Sequence, residues 1–201
     1  MEKIRYERRK LEKVLEIYHA LKLSCKLPRD SIKRSSWQNF AHELAIKTGR
    51  TVGDVPYSKK ELEDLFDNSV TPILYEISFL DLVRVFEHIV FDLVDNASGK
   101  IEKIIKESKE AYPFHRCAAS FVKSPTKRDI TNLGHIQEIL AGHLTPDLDK
   151  KLDRIVKYRN WLAHGNRFKY EDRKDQPTPP GEIEEIAEIL EEILRRIRPN
   201  S

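Results

Sequence analysis

The sequence predicts an all-α fold, a helical bundle with an N-terminal helical extension. Three observations predict it. Apolar residues recur at the helical period along nearly the whole chain, and no run alternates apolar and polar residues at the strand period. Helix start and stop signals punctuate that pattern: Ser58-Lys-Lys-Glu61, Thr71-Pro72 and Thr145-Pro146 as starts, Gly49, Gly142 and Gly165 as stops. The composition, 39% hydrophobic and 34% charged over 201 residues, suits amphipathic helices around a core rather than a disordered chain.

The first helix is expected over Glu2–Leu27 on Ile4, Leu11, Val14, Leu15, Tyr18 and Leu21, with Pro28 ending it. A second covers Trp37–Thr48 and stops at Gly49. Ser58-Lys-Lys-Glu61 is a capping box, in which each side chain reaches the other residue's backbone N–H, and it opens a helix to Asp67. Thr71-Pro72 sets a cap residue before a proline whose missing N–H costs nothing in a first turn. The helix from Pro72 to Asp95 is the most apolar of the chain, and Ser98-Gly99 is expected to break it. Another helix runs to Ala111, Pro113 opens a short one, and Ser124-Pro125-Thr126 is a turn. A helix over Asn132–Ala141 stops at Gly142. Thr145-Pro146 starts a helix that reaches His164 before Gly165. Residues 166–181 form a polar, proline-rich loop. The last helix, Glu182–Arg198, carries Ile183, Ile186, Ala187, Leu190, Ile193, Leu194 and Ile197 on one stripe. Residues 1–50 are assigned to the extension and 51–201 to the bundle.

The bulk properties exclude several classes. Lys+Arg 36 against Asp+Glu 33 leaves a net charge of +3, so a nucleic-acid site has to be a local patch rather than a whole-molecule field. Cys25 and Cys117 make neither a disulfide framework nor a zinc-ligand set, and a reducing, cytoplasmic setting is the default. No apolar run approaches the roughly 20 residues that span a bilayer, and the opening MEKIRYERRKLEK lacks the apolar segment of a signal peptide. His19, His42, His88, His115, His135 and His143 are scattered singly, without metal-ligand spacing, and no glycine-rich phosphate loop is present. No metal and no cofactor are expected.

One residue breaks the pattern. At about 100° per residue, Leu148, Leu152, Ile155, Val156, Leu162 and Ala163 cluster on one side of the Pro146–His164 helix, and Arg159 lies near the centre of that cluster. A guanidinium on a burying face is costly unless it meets a carboxylate or a bound anion. The Pro72–Asp95 helix offers carboxylates. Its apolar arc holds Tyr75, Phe79, Leu82, Val83, Phe86, Ile89, Val90, Leu93 and Val94, with Glu87 and Glu76 at one edge. Asp81, Arg84, His88 and Asp92 fall on the opposite side. Glu87 is therefore the first choice of partner and Glu76 the second. Such a pair serves packing alone, or it presents the arginine to a ligand; the spacing leaves both open. Asn160 and His164, four apart, share a helix face beside the stripe, and a histidine in a last helical turn has its charged form favoured by the helix dipole.

Arg159-Asn160-Trp161-Leu162-Ala163-His164, in the setting KYRNWLAHG, resembles the signature of the HEPN superfamily. In that family an arginine, commonly followed by a polar residue such as asparagine, is separated by four to six residues from a histidine near a helix end. The resemblance covers Thr71 to Arg198. It implies an all-α bundle, usually a homodimer with both motifs at the interface, and metal-independent endoribonuclease activity. Many members are toxins of toxin–antitoxin pairs or effectors of antiviral defence; others have lost catalysis and act as nucleotide-binding or regulatory modules. By this resemblance Arg159, Asn160, His164 and Glu87 form the catalytic set. His164 moves a proton, Arg159 holds the phosphate, Asn160 donates a hydrogen bond to the phosphate or fixes the histidine ring, and Glu87 orients Arg159. Asn166 stands where one subgroup has a tyrosine two residues after the histidine, so that subgroup's nucleotidyltransferase antitoxin is not carried over.

Arg167, Lys169 and Arg173 follow the motif directly and are the expected phosphate contacts on RNA. Trp161 projects away from the apolar stripe and either packs or stacks on a base. The basic runs Arg29–Arg34 and Lys123–Arg128 read first as solvated loops, and His115-Arg116-Cys117 reads as core or surface rather than a nucleophile cluster.

Overall fold

A computed structural model describes residues 2–33, 37–48, 57–108, 133–140, 142–163 and 177–197, and all statements below concern these. The fold class is all-α, with no strand among the described residues. Helices α1 (Glu2–Lys33), α2 (Trp37–Lys47) and α3 (Lys59–Leu65) are followed by a π-helical turn at Phe66–Val70. Then come α4 (Thr71–Glu107), α5 (Leu133–Leu140), α6 (Pro146–Ala163) and α7 (Ile183–Ile197). The chain divides into two compact units, Glu12–Asp81 and Met1–Leu11 together with Leu82–Ser201.

In the unit Glu12–Asp81 the core is Ala41, Leu62 and Phe66, with Cys25, Trp37, Phe40, Leu44, Tyr57 and Val70 packed on it. The rings of Phe40 and Phe66 meet in a tilted pair with centroids 5.8 Å apart. The capping box forms as the sequence dictates. Ser58 Oγ accepts from the Glu61 N–H at 3.2 Å, and Glu61 Oε2 accepts from the Ser58 N–H at 2.6 Å.

Two expected breaks and one expected N-terminal cap are absent. Pro28 lies inside α1, which continues to Lys33, and the basic run from Arg29 starts in that helix rather than in a loop. Cys25, one turn before Pro28, packs on the Ala41–Leu62–Phe66 cluster, a tertiary contact that opposes the local cost of a proline. Thr71 is not a cap. Its backbone is right-handed helical and its N–H reaches the Phe66 carbonyl, an i to i−5 bond. The wide turn precedes Pro72 directly, which is where a proline's ring and missing N–H need room. Ser98-Gly99 does not interrupt α4, because glycine inside a helix costs only about 1 kcal/mol and ends one mainly where the backbone turns left-handed. Gly142 does turn left-handed, at φ +82°, two residues past the end of α5 at Leu140, with the His143 N–H on the Leu140 carbonyl at 2.9 Å.

In the other unit, α5 packs on α6 and α6 on α7. The buried residues are Leu82, Val83, Phe86, Ile89 and Val90 of α4, and Ile136 and Leu140 of α5. Leu148, Leu152, Ile155, Val156, Tyr158 and Leu162 come from α6, and Ile183, Ile186, Ala187, Ile189, Leu190, Ile193 and Leu194 from α7. Each fully buried aliphatic side chain contributes on the order of 1.5–3 kcal/mol. Thr145 caps α6, its hydroxyl accepting from the Leu148 N–H at 3.4 Å, and Asp147 and Asp149 face the positive end of the helix dipole. Ala163, expected on the buried stripe, is exposed, while Tyr158 is buried. The helix over Pro113, the turn at Ser124, and the stops at Gly49 and Gly165 lie outside the described residues.

Candidate functional site

The site is built by α4 and α6. Phe86, Ile89 and Val90 bury one face of α4, and Glu87 leaves that face at its edge. Leu152, Ile155 and Leu162 bury one face of α6, and Arg159 starts from the middle of it. The two side chains meet. Arg159 Nη2 lies 3.3 Å from Glu87 Oε1, with the arginine side chain 26% exposed and the glutamate 13%. The partner is thus Glu87, and His88, next to it, is exposed.

The pair is close but not aligned. Glu87 Oε1 is buried and makes no hydrogen bond among the described residues, so its 3.3 Å contact with Arg159 is a charge contact without the directionality of a fork-to-fork pair. Arg159 Nη1 donates to Asn160 Oδ1 at 3.3 Å. Of five guanidinium donors, most therefore remain free of partners among the described residues. Asn160 spends its carbonyl on Arg159 and keeps its amide hydrogens as donors. The arrangement is a partly exposed, oriented guanidinium beside an amide whose hydrogens have no partner among the described residues, a group of donors that fits an oxyanion.

Trp161 is half-buried, and its ring stacks on Tyr158 with centroids 5.9 Å apart and planes 24° from parallel. Tyr158, 2% exposed, is a site residue that the apolar-stripe reasoning missed. The signal was its spacing of three from Trp161, which makes two aromatics neighbours on a helix. His164, Arg167, Lys169 and Arg173 lie outside the described residues, as do Lys123–Arg128 and His115-Arg116-Cys117. Among the described residues no three His, Cys, Asp or Glu side chains are grouped to hold a metal ion, and no helix is long and apolar enough to cross a membrane. An open, acidic depression in the unit Glu12–Asp81 is lined by Ser58, Lys60, Glu61, Glu63, Asp64, Asp67 and Asn68. None of the expected site residues lines it.

No family model, no curated protein and no solved structure matches this chain.

Proposed function

We propose that the chain is a HEPN-type endoribonuclease that cleaves RNA without a metal, acting as a toxin or an antiviral defence effector. The observation that carries the reading is the Glu87–Arg159 contact: an arginine on a burying face, oriented by one carboxylate, with donors to spare and Asn160 beside it. These residues open the Arg159-Asn160-x-x-x-His164 motif. In the proposed reaction the RNA 2′-hydroxyl attacks the adjacent phosphorus. A bond forms from the 2′-oxygen to phosphorus and the bond to the 5′-oxygen breaks, leaving a 2′,3′-cyclic phosphate and a 5′-hydroxyl. The proton leaves the 2′-oxygen and one is delivered to the 5′-oxygen. His164 performs one of these transfers, a contribution of about 10²–10⁴ in rate. Arg159 and the Asn160 amide stabilise the charge that builds on the phosphoryl oxygens. Arg167, Lys169 and Arg173 bind flanking phosphates. A second copy of the chain across a two-fold axis brings a second motif, the setting is cytoplasmic, and an antitoxin protein is a candidate partner.

Cleavage tests the reading. Wild type in EDTA should cut single-stranded RNA to the two ends named above, and Arg159→Ala and His164→Ala variants that keep their helical circular dichroism should not. RNA methylated on every 2′-oxygen should stay intact. Wild-type protein that binds RNA but leaves it whole would move the assignment to the second reading, a non-catalytic HEPN-like RNA- or nucleotide-binding module.

A further inference from the structure

The face of α6 opposite its buried stripe carries Lys150, Arg154, Lys157 and Trp161, at spacings of four, three and four. On a helix these positions fall within about 60° of one another, so they form one line. It runs about 16 Å at 1.5 Å per residue. All three cations are exposed. Lys157 Nζ is paired with Asp153 at 2.7 Å, and the flanking Asp147 with Lys151 at 2.9 Å. Lys150 and Arg154 have no ion-pair partner among the described residues. Trp161 closes the line. Tyr158 supports its ring from one side, and its partial exposure leaves indole surface open.

We infer that this line is a track for single-stranded RNA, with Lys150 and Arg154 on consecutive phosphates and Trp161 stacking a base. The inference rests on the ribonuclease reading for the choice of RNA, and places on this face a flanking stretch of the strand rather than the scissile phosphate, because Arg159 leaves α6 from the opposite side. The occupant follows from the chemistry. Unpaired cations repeated at helical intervals match the repeated charge of a phosphate backbone, and a propped indole offers a platform to any base. A protein partner is the alternative outcome. A solvated face would not need an aromatic anchored at its end by a second, buried aromatic.

Binding is measured on non-cleavable RNA, a short single strand carrying 2′-O-methyl groups throughout, so the result does not depend on catalysis. Fluorescence anisotropy across a salt series gives the slope of log affinity against log salt. Lys150→Gln/Arg154→Gln should reduce that slope by about 1.4, at roughly 0.7 for each phosphate contact on a single strand. Trp161→Ala should weaken binding by roughly 5- to 150-fold. In a Trp37→Phe background the RNA should quench Trp161 fluorescence. An unchanged slope in the double variant, or no binding by wild type at all, overturns the track. Cleavage of unmodified RNA, followed separately, then says whether the ribonuclease reading stands without it. Binding with no cleavage keeps the track and removes the nuclease.

Discussion

Neutralising the members of the Glu87–Arg159 pair, singly and together, measures how the unit containing α6 depends on it. At 3.3 Å the two charges attract by about 5 kcal/mol if the effective dielectric is about 20. Desolvation takes back much of that. The arginine is 26% exposed, so water screens it further, and Glu87 Oε1 makes no aligned hydrogen bond. A coupling of about 1–3 kcal/mol remains. The single substitutions should be unequal. Arg159→Met strands a carboxylate that is only 13% exposed, at a cost of about 2–4 kcal/mol, a little below that of a fully buried orphan charge. Glu87→Gln leaves a guanidinium that can still reach water, at a cost of about 1–2 kcal/mol. The double variant should cost less than the sum of the two by the coupling energy. Urea unfolding of the Trp37→Phe protein, followed by Trp161 fluorescence, reads α6 directly, since Trp161 stands two residues past Arg159. Additive costs within about 0.5 kcal/mol, or an Arg159→Met protein as stable as its parent, would refute the idea that this pair is an energetic unit.

Three further outcomes test the fold. Ser58→Ala removes one arm of the capping box and should lower stability by about 0.5–2 kcal/mol in urea melts, with Glu61→Ala adding little on top because the arms work together. Leu152→Ala opens a cavity at a position with no exposure and should cost about 2–5 kcal/mol, visible as a lower urea midpoint. Pro28→Ala restores a backbone donor inside α1 and should raise stability by about 1–3 kcal/mol, seen as a higher midpoint by circular dichroism; a drop would mean that the helix is shaped around the proline.

Local signals were legible wherever one residue settles the backbone. Ser58 with Glu61, Thr145 before Pro146, and Gly142 at φ +82° each act through bonds or dihedrals within a few residues. The choice of Glu87 over Glu76 and His88 was legible too, because helical spacing on α4 fixes which side chains border the buried arc. The unforeseen continuations share a cause. Pro28 and Ser98-Gly99 are weak stop signals whose effect depends on what the helix packs against, and Thr71 loses its capping role to a wide turn at Phe66–Val70 that no single residue announces. Tyr158 was missed for another reason. Its position flanks the apolar stripe of α6, and only the neighbouring helices decide that a flank is covered. Spacing puts Lys150, Arg154 and Trp161 on one line of α6, but it cannot say which cations are already paired.

A charge argument links the pair to the proposed chemistry. Arg159 and Glu87 together are neutral, so they orient a phosphodiester better than they attract one. Attraction must come from other cations, and Arg167, Lys169 and Arg173 stand just past the motif. Glu87 then has two opposed effects: it aims Arg159, and it repels the phosphate. Glu87→Gln should separate them. Removing one negative charge at a partly exposed site is worth about 0.4–1 kcal/mol, so non-cleavable RNA should bind about 2- to 5-fold tighter to the variant. Cleavage at saturating RNA should fall, because an arginine without its carboxylate no longer holds one direction and loses part of its transition-state contact. Tighter binding with slower turnover is the signature of an orienting carboxylate. If Glu87→Gln binds RNA more weakly and cuts it at the parent rate, the carboxylate contributes to the fold alone and Arg159 meets no phosphate.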